Sequence, residues 1–223
     1  MEIAQRGDSS TNQPLILTMV NGIWAVSRTQ SLKPQSGGLL AVSCTNSVTC
    51  AASGYEATSS SNRTLVERRI GNGWSVTPSP GSGGSSPNYG AIGLTGLSCL
   101  SATACTAAGQ LTGPGPIVET RTNGRWSIAA SPAPNSTDRA TGLYGVSCTA
   151  PRTCVAVGEV AQQFGSNTPD GAFGDPVGTL IEIDVGGNWA VAASPHGLPP
   201  ESGLHAVSCV AQMCVAVGQS GHP

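Results

Sequence analysis

Two positions of a fourfold internal repeat carry the side chains that could do chemistry in this sequence. In its clearest copy the repeat runs from Leu143 through Cys148 and Cys154 to Gly158. Its second residue differs between the copies, which hold Leu40, Thr95, Tyr144 and His205. The residue after its last glycine differs too, and the copies hold Tyr55, Gln110, Glu159 and Gln219. Because histidine titrates near neutral pH and a carboxylate accepts protons, Tyr144, His205 and Glu159 are candidates for acid and base catalysis.

The same two positions also suit binding without reaction. Tyr, His, Glu and Gln side chains that surround one opening can form hydrogen bonds to a polar ligand such as a sugar, with Thr95, Tyr55, Gln110 and Gln219 as binding residues. The alternative is that all these residues occupy exposed strand ends and are free to vary. Sequence alone does not show that Tyr144, His205 and Glu159 are in contact.

Two asymmetric features lie near this predicted opening. The longest insertion, residues 161–178, contains Asp170 and Phe173 and could form a lid, an aromatic platform for a sugar, a calcium site or a mobile linker. Calcium takes six to eight oxygen ligands, so two aspartates among glycines are weak support for it, and no cofactor is predicted. His196 follows a Ser-Pro pair and is a further binding candidate, although a lone surface histidine usually has no such role.

The eight cysteines fall into four local pairs. Each pair stands on two β-rich runs joined by a short turn, which places the two cysteines across a hairpin at a separation that suits a disulfide. A zinc site is the alternative, but zinc knuckles favour two to four intervening residues and three of these pairs have five. The pattern favours disulfides and therefore an oxidising compartment and a secreted protein. The predicted pairs are Cys44–Cys50, Cys99–Cys105, Cys148–Cys154 and Cys209–Cys214.

A second motif alternates with the cysteine motif and consists of an apolar run, a glycine-containing turn and a tryptophan. Asn-Gly and Gly-Gly turns between apolar runs predict β-hairpins, because both central residues of a type I′ turn need a positive φ. Together the two motifs give four short strands in each repeat of about 50 residues, which is the period of a β-propeller blade. The four tryptophans, which we expect to pack between sheets, are Trp24, Trp74, Trp126 and Trp189.

The chain begins with the last two strands of a repeat and ends with the first two. We therefore predict an all-β fold, a four-bladed β-propeller closed by pairing of its N- and C-terminal strands, which leaves no open sheet edge. Residues 1–13 are predicted to be a disordered leader and residues 14–220 a single domain. The predicted blades are 14–28 with 204–220, 39–80, 94–132 and 143–195. A fragment of a larger ring, or two chains forming eight blades, remain alternatives.

The pattern Leu-x-x-Val-Ser-Cys-x5-Cys-x-Ala-Val-Gly, followed by Leu-Ile-Glu and Gly-x-Trp, resembles the disulfide-containing propeller repeats of secreted bacterial proteins. The resemblance covers residues 14–219 and implies a fold more than a function. A sialidase-like interpretation is weaker, since that family's Ser-x-Asp-x-Gly-x-x-Trp box needs an aspartate. Here the corresponding turn reads Val20-Asn21-Gly22-Ile23-Trp24.

Antiparallel pairing places two families of variable loops on one face, which we call the loop-rich face, and the cysteine hairpins on the opposite face. Variable loops on a rigid scaffold are where binding and catalysis concentrate. Glu67, Glu119 and Glu182 recur in three repeats and are expected to form hydrogen bonds between blades or to the backbone. The long insertion and the strand 4 to strand 1 links belong to the loop-rich face.

Composition narrows the functional classes. Charged residues are only 10% of the chain, the net charge is −2 and no basic run occurs, which argues against nucleic acid as a partner. No apolar run approaches 18 residues, so no membrane span is predicted. The leading hypothesis is a secreted module, monomeric or dimeric, that binds a carbohydrate or cell-surface polymer at the loop-rich face. The alternatives are a polysaccharide lyase or glycoside hydrolase acting at the same place, and a structural or protein-interaction propeller.

Overall fold

The structure of the protein is a computed structural model. It describes residues 12–33, 35–58, 61–81, 93–110, 115–132, 139–163, 173–199 and 201–221. These residues form sixteen β-strands. Within them, no helix has the length and apolar character needed to cross a membrane. The predicted all-β class is therefore confirmed.

The strands form three four-stranded antiparallel sheets and two two-stranded hairpins, in chain order. The N-terminal hairpin is β1 (Ile16–Val20) and β2 (Ile23–Ser27). The first sheet is β3 (Ser36–Asn46), β4 (Thr49–Ala57), β5 (Asn62–Ile70) and β6 (Gly73–Thr77). The second is β7 (Gly93–Ser101), β8 (Ala104–Gln110), β9 (Pro116–Thr122) and β10 (Arg125–Ala129). The third is β11 (Arg139–Ala150), β12 (Thr153–Gln163), β13 (Phe173–Val185) and β14 (Asn188–Val191). The C-terminal hairpin is β15 (Gly203–Val210) and β16 (Met213–Gln219).

The turns follow the local chemistry of the sequence. Asn21-Gly22, Asn123-Gly124 and Gly186-Gly187 all have positive φ at both residues, as the predicted type I′ hairpins require. Each cysteine pair joins neighbouring strands across a turn as a disulfide, with Cα atoms 4.0 or 4.1 Å apart. No cysteine is free, so the zinc alternative is wrong.

A β-bulge interrupts the first strand of every repeat at the residue that varies. The pairing register shifts between Leu39 and Ala41 in β3, and it shifts at the matching place in β7, β11 and β15. The second strand of each repeat has a glycine opposite the bulge. A methyl group on this glycine would collide with the carbonyl oxygen of the glycine that precedes the leucine of the first strand. Glycine is therefore the residue that this close backbone contact admits. The four glycines of the second strand are Gly54, Gly109, Gly158 and Gly218.

The apolar core lies between successive sheets. Trp126 packs with Leu94 and Leu97 of its own sheet and with Val66 of the sheet before. Trp189 packs in the same way against Val118 of the second sheet. Trp74, which packs with Cys50, Ala52 and Ile16, completes the predicted pattern, and all three tryptophans are at most 9% exposed. Trp24 differs, because it is 64% exposed.

Polar contacts between sheets repeat as regularly as the apolar ones. The hydroxyls of Ser43, Ser98 and Ser147 accept hydrogen bonds from the amides of Cys99, Cys148 and Cys209, each on the next sheet or hairpin. A methyl group on Gly96 would lie 3.0 Å from the amide nitrogen of Val146, and one on Gly145 would lie 2.9 Å from the Cα of Ala206. The first strands of successive units therefore pack backbone to backbone.

The recurring glutamates also link neighbouring sheets. Glu119 accepts hydrogen bonds from Thr64 Oγ1 of the first sheet (2.7 Å) and, in the segment that follows this sheet, from Ser79 Oγ (2.5 Å) and the amide of Gly81 (3.1 Å). Glu182 accepts one from Ser131, which follows the last strand of the second sheet (2.7 Å). The expected sheet-to-sheet bonds are confirmed for these two. Glu67 is fully buried, but its carboxylate has no hydrogen-bond partner among the described residues.

The terminal hairpins remain separate sheets in this structure. Among the described strands, β1 pairs only with β2, and β16 pairs only with β15. β15 packs on β11 as β11 packs on β7, but no comparable packing joins β15 to β3. The predicted closing pair, β16 with β1, is thus not formed here, and ring closure stays a prediction.

Several strands are longer than the sequence predicted. β12 continues to Gln163 and β13 begins at Phe173, so both ends of the predicted loop 161–178 are strand. β11 likewise begins at Arg139, because residues 139–143 pair with residues 158–162 of β12. Residues 1–11 of the predicted leader lie outside the described residues, and its last residue contacts the fold. Gln13 donates to the carbonyl of Gln35 and accepts from the amide of Leu32.

Candidate functional site

The structure brings Tyr144, Glu159 and His205 together. The hydroxyl of Tyr144 donates a hydrogen bond of 2.8 Å to Oε1 of Glu159. The ring of Tyr144 stacks on that of His205, with centroids 5.7 Å apart and planes 29° from parallel. We call these three residues the Tyr–Glu–His cluster. It lies between the third sheet and the C-terminal hairpin, on the loop-rich face.

Each member is positioned by the repeat itself. Tyr144 and His205 are the bulge residues of β11 and β15, and a bulge turns its unpaired side chain away from the regular alternation of a strand. Glu159 directly follows the second-strand glycine of β12, where it pairs with Gly142 of β11 and Thr179 of β13. Two bulges on adjacent first strands, with an acidic residue between them, therefore create the cluster.

Two glycines leave room for the polar groups. A methyl group on Gly142 would collide with the side-chain oxygen of Gln110 and would lie 3.3 Å from the hydroxyl of Tyr144. One on Gly203 would collide with Oε2 of Glu159. Sequence reasoning did not select either residue. The signal was present, since all four copies have a glycine immediately before the leucine of the first strand.

The electrostatics of the cluster favour a neutral tyrosine. Burial raises the pKa of Tyr144 above its usual value, and the negative charge and hydrogen bond of Glu159 raise it further. Tyr144 is therefore a hydrogen-bond donor at every physiological pH and does not serve as a phenolate base. Glu159 is only 8% exposed, whereas His205 is exposed and offers its ring to solvent.

The remaining candidates at the two variable repeat positions each lie on the first or second strand of a repeat. Thr95, the bulge residue of β7, donates a 2.7 Å hydrogen bond to the carbonyl of Leu143, so its hydroxyl is used within the fold. Gln110 is buried beside Gly142. Tyr55 lies against Gly38 and Gly93, at the first and second sheets. Gln219 is exposed and pairs with Gly203, next to the cluster.

The remaining candidates are not brought to the cluster. His196 is an exposed turn residue, and no hydrogen bond or ion pair links it to the cluster within the described part of the chain. Asp170 lies outside the described residues, and for Phe173 the structure describes only the backbone, which pairs with Gln163. No group of three or more His, Cys, Asp or Glu residues suited to a metal ion occurs among the described residues.

Comparisons with known proteins leave the site to be interpreted from its own chemistry. The sequence matches no protein-family model, and a search of curated proteins found no match. A functional proposal therefore depends on the fold and on the contacts of the Tyr–Glu–His cluster.

Proposed function

We propose that this protein is a secreted β-propeller that binds a carbohydrate or a related cell-surface polymer at the Tyr–Glu–His cluster. The observation that carries the proposal is the contact of Tyr144 with both Glu159 and His205 at the loop-rich face. Sugars are recognised by a few convergent polar groups beside an apolar or aromatic surface. The exposed ring of His205 provides that surface, and Glu159 and the neighbouring Gln219 provide polar groups for sugar hydroxyls.

Three features support the propeller and its location. Each four-stranded sheet packs on the next through the same tryptophan, serine and glycine contacts, as blades do. The N-terminal hairpin supplies the third and fourth strands of one more blade and the C-terminal hairpin its first two. Four disulfides with no free cysteine favour an oxidising compartment, and the repeats resemble those of secreted bacterial proteins.

The alternative function, an enzyme that acts on a polysaccharide, involves the same three residues, but Tyr144 cannot serve as its base. A hydrogen-bonded carboxylate and a nearby histidine are a plausible general acid and base. Because Tyr144 stays protonated, only Glu159 or His205 is suited to take a proton from substrate. A lyase or hydrolase would release new unsaturated or reducing ends from a polysaccharide, whereas a binding module would release none.

Binding can be tested with a glycan array followed by calorimetry on the ligands that are found. We expect His205→Ala and Tyr144→Phe each to weaken binding at least tenfold, which is about 1.4 kcal/mol. Arg125→Ala is the control, because Arg125 is an exposed residue of β10 beside the Asn-Gly turn, at the opposite end of the sheets from the cluster. Absence of any glycan ligand, or equal losses in all three variants, would contradict the proposal.

A further inference from the structure

The charge of the Tyr–Glu–His cluster narrows the class of sugar that suits it, a step that rests on the proposed carbohydrate function. Glu159 is only 8% exposed, so most of its surface is withdrawn from water. Burial raises the pKa of Tyr144, and the negative charge of Glu159 raises it further. The site therefore combines a neutral phenol with a carboxylate that keeps its charge.

The Glu159 carboxylate has an unused acceptor. Its Oε1 accepts the hydrogen bond from Tyr144. Its Oε2 lies against Gly203, where a methyl group would collide with it, and accepts no hydrogen bond from any described residue. Oε2 is also absent from the buried oxygens that lack a partner, so it is open to solvent. Since a carboxylate accepts about four hydrogen bonds, Glu159 has capacity for a ligand donor.

No described cation neutralises Glu159. The ion pair found in the described part of the chain joins Arg63 to Glu56, also on the loop-rich face. His205 forms no ion pair with Glu159. Arg139 lies on β11 three residues before the pairing partner of Glu159, which is roughly 10 Å along the strand. A carboxylate withdrawn from water without a counter-charge is costly, and a cationic ligand group would offset that cost.

The stacked rings beside the carboxylate favour the same kind of ligand. The faces of aromatic rings attract cations, and Tyr144 retains this property because its phenol stays neutral. The exposed ring of His205, 5.7 Å from that of Tyr144 between centroids, adds a flat surface for a sugar ring. An anionic ligand would instead meet the charge of Glu159 directly.

We infer that the cluster binds an amino sugar, with the protonated amine on Glu159 and the sugar ring on His205. An ammonium group donates charge-assisted hydrogen bonds to a carboxylate. The ligand class is a polysaccharide that carries free amino groups, such as a hexosamine polymer without its acetyl groups. Acidic polysaccharides are disfavoured by the same charge.

The repeat supplies a matched variant, Glu159→Gln. Gln110 holds the equivalent position in the second sheet, where it is 5% exposed, and Gln219 holds it in the C-terminal hairpin. Glutamine is thus already accommodated at this place in the fold. Its amide oxygen can still accept the hydrogen bond of Tyr144, so the variant removes the charge and keeps the shape of the site.

The test compares two tetrasaccharides of glucosamine, one with free amines and one fully N-acetylated, by calorimetry at equal ionic strength. At pH 6 the free amines are protonated. We expect the free-amine form to bind at least tenfold more tightly to the wild-type protein. In Glu159→Gln this preference should disappear, because the free-amine form loses affinity while the acetylated form changes less than threefold.

Glu201→Gln is the control, since Glu201 is an exposed acidic residue of the same face that lies against Gly221. It should change either affinity less than threefold. Equal losses in Glu201→Gln and Glu159→Gln, or equally tight binding of a lysine tetrapeptide, would overturn the inference, because charge alone would then explain binding. Equal affinities of the two tetrasaccharides would overturn it and leave the carbohydrate proposal standing. Absence of binding by every glycan would contradict the carbohydrate proposal itself.

Discussion

Glu67 differs from the equivalent Glu119 because the hairpin before it lacks the matching hydrogen-bond donors. Glu119 accepts hydrogen bonds from Thr64 of the first sheet and from Ser79 and Gly81, which follow that sheet. The matching residues of the N-terminal hairpin are Pro14, which has no hydroxyl, Thr29, whose hydroxyl donates to the carbonyl of Pro14, and Ser31. Among the described residues Glu67 therefore has no hydrogen-bond donor, and burial raises its pKa to about 7.

The raised pKa predicts that stability falls as pH rises. Between the ordinary value of 4.5 and about 7, folded Glu67 holds a proton that the unfolded chain has lost, so unfolding becomes easier with increasing pH. Above pH 7 the full penalty, on the order of 3 kcal/mol, applies. We expect Glu67→Gln to leave stability unchanged below pH 4 and to raise it at pH 8. Urea unfolding with intact disulfides, measured at both pH values, checks this.

Glu119→Gln is the matched comparison at the equivalent position of the second sheet. Its amide would present an NH₂ group to donors that now face a carboxylate, so we expect destabilisation at pH 8 where Glu67→Gln stabilises. The same pH dependence in wild type and in Glu67→Gln between pH 5 and pH 8 would contradict the prediction, because the variant lacks the titrating carboxyl group.

The candidate site was predictable at the level of residues and not at the level of contacts. Variation at two repeat positions selected Tyr144, His205 and Glu159, because the chemical type of the residue changes there while most neighbouring positions keep theirs. The reason they meet is the β-bulge in each first strand, which turns Tyr144 and His205 to the same side. A bulge depends on pairing between strands, which sequence spacing does not reveal.

At the scale of elements, the burial of the tryptophan in each hairpin reports whether that hairpin packs on the neighbouring sheet. Trp126 is 9% exposed within a core shared by two sheets, so Trp126→Ala should cost about 3–5 kcal/mol. Trp24 is 64% exposed at the equivalent position while the terminal hairpins are separate. In the proposed closed ring it enters a fourth core, so Trp24→Ala should cost a similar amount. Urea unfolding of both variants provides the comparison. A cost below about 1 kcal/mol for Trp24→Ala would mean that the two terminal hairpins stay apart in solution.

Most of the hairpins could be predicted from local sequence patterns. Asn-Gly and Gly-Gly pairs located three hairpin turns, and cysteine spacing located the other hairpins, because positive φ and disulfide geometry are local constraints. Strand ends were predicted less well. Residues 139–142 and 161–163 look like loop in the sequence but are strand, since backbone pairing between β11 and β12 does not need an apolar pattern.

At the scale of the whole molecule, the two terminal hairpins have complementary open edges. Val215 and Val217 of β16 and Leu17 of β1 are each at least 50% exposed, and burying such side chains contributes about 1.5–3 kcal/mol each. An unpaired edge is also a site of unwanted association. By the repeat, β16 should pair with β1 as β4 pairs with β5, where Ala51 faces Arg68 and Ala52 faces Glu67. This register places Val215 opposite Thr18 and Ala216 opposite Leu17.

Ring closure is therefore testable by two engineered cysteine pairs, Val215→Cys with Thr18→Cys and Ala216→Cys with Leu17→Cys. Adjacent cross-strand pairs alternate between hydrogen-bonded and non-hydrogen-bonded sites, and the latter bring side chains closer, so one pair should oxidise more readily. We expect a disulfide within a single chain, identified by peptide mapping and by monomeric mass without reductant. A cross-link between two chains would instead mean that copies complete each other's fourth blade. Failure of both pairs to oxidise would contradict pairing of β16 with β1 altogether, because a closed ring holds these residues within reach of each other.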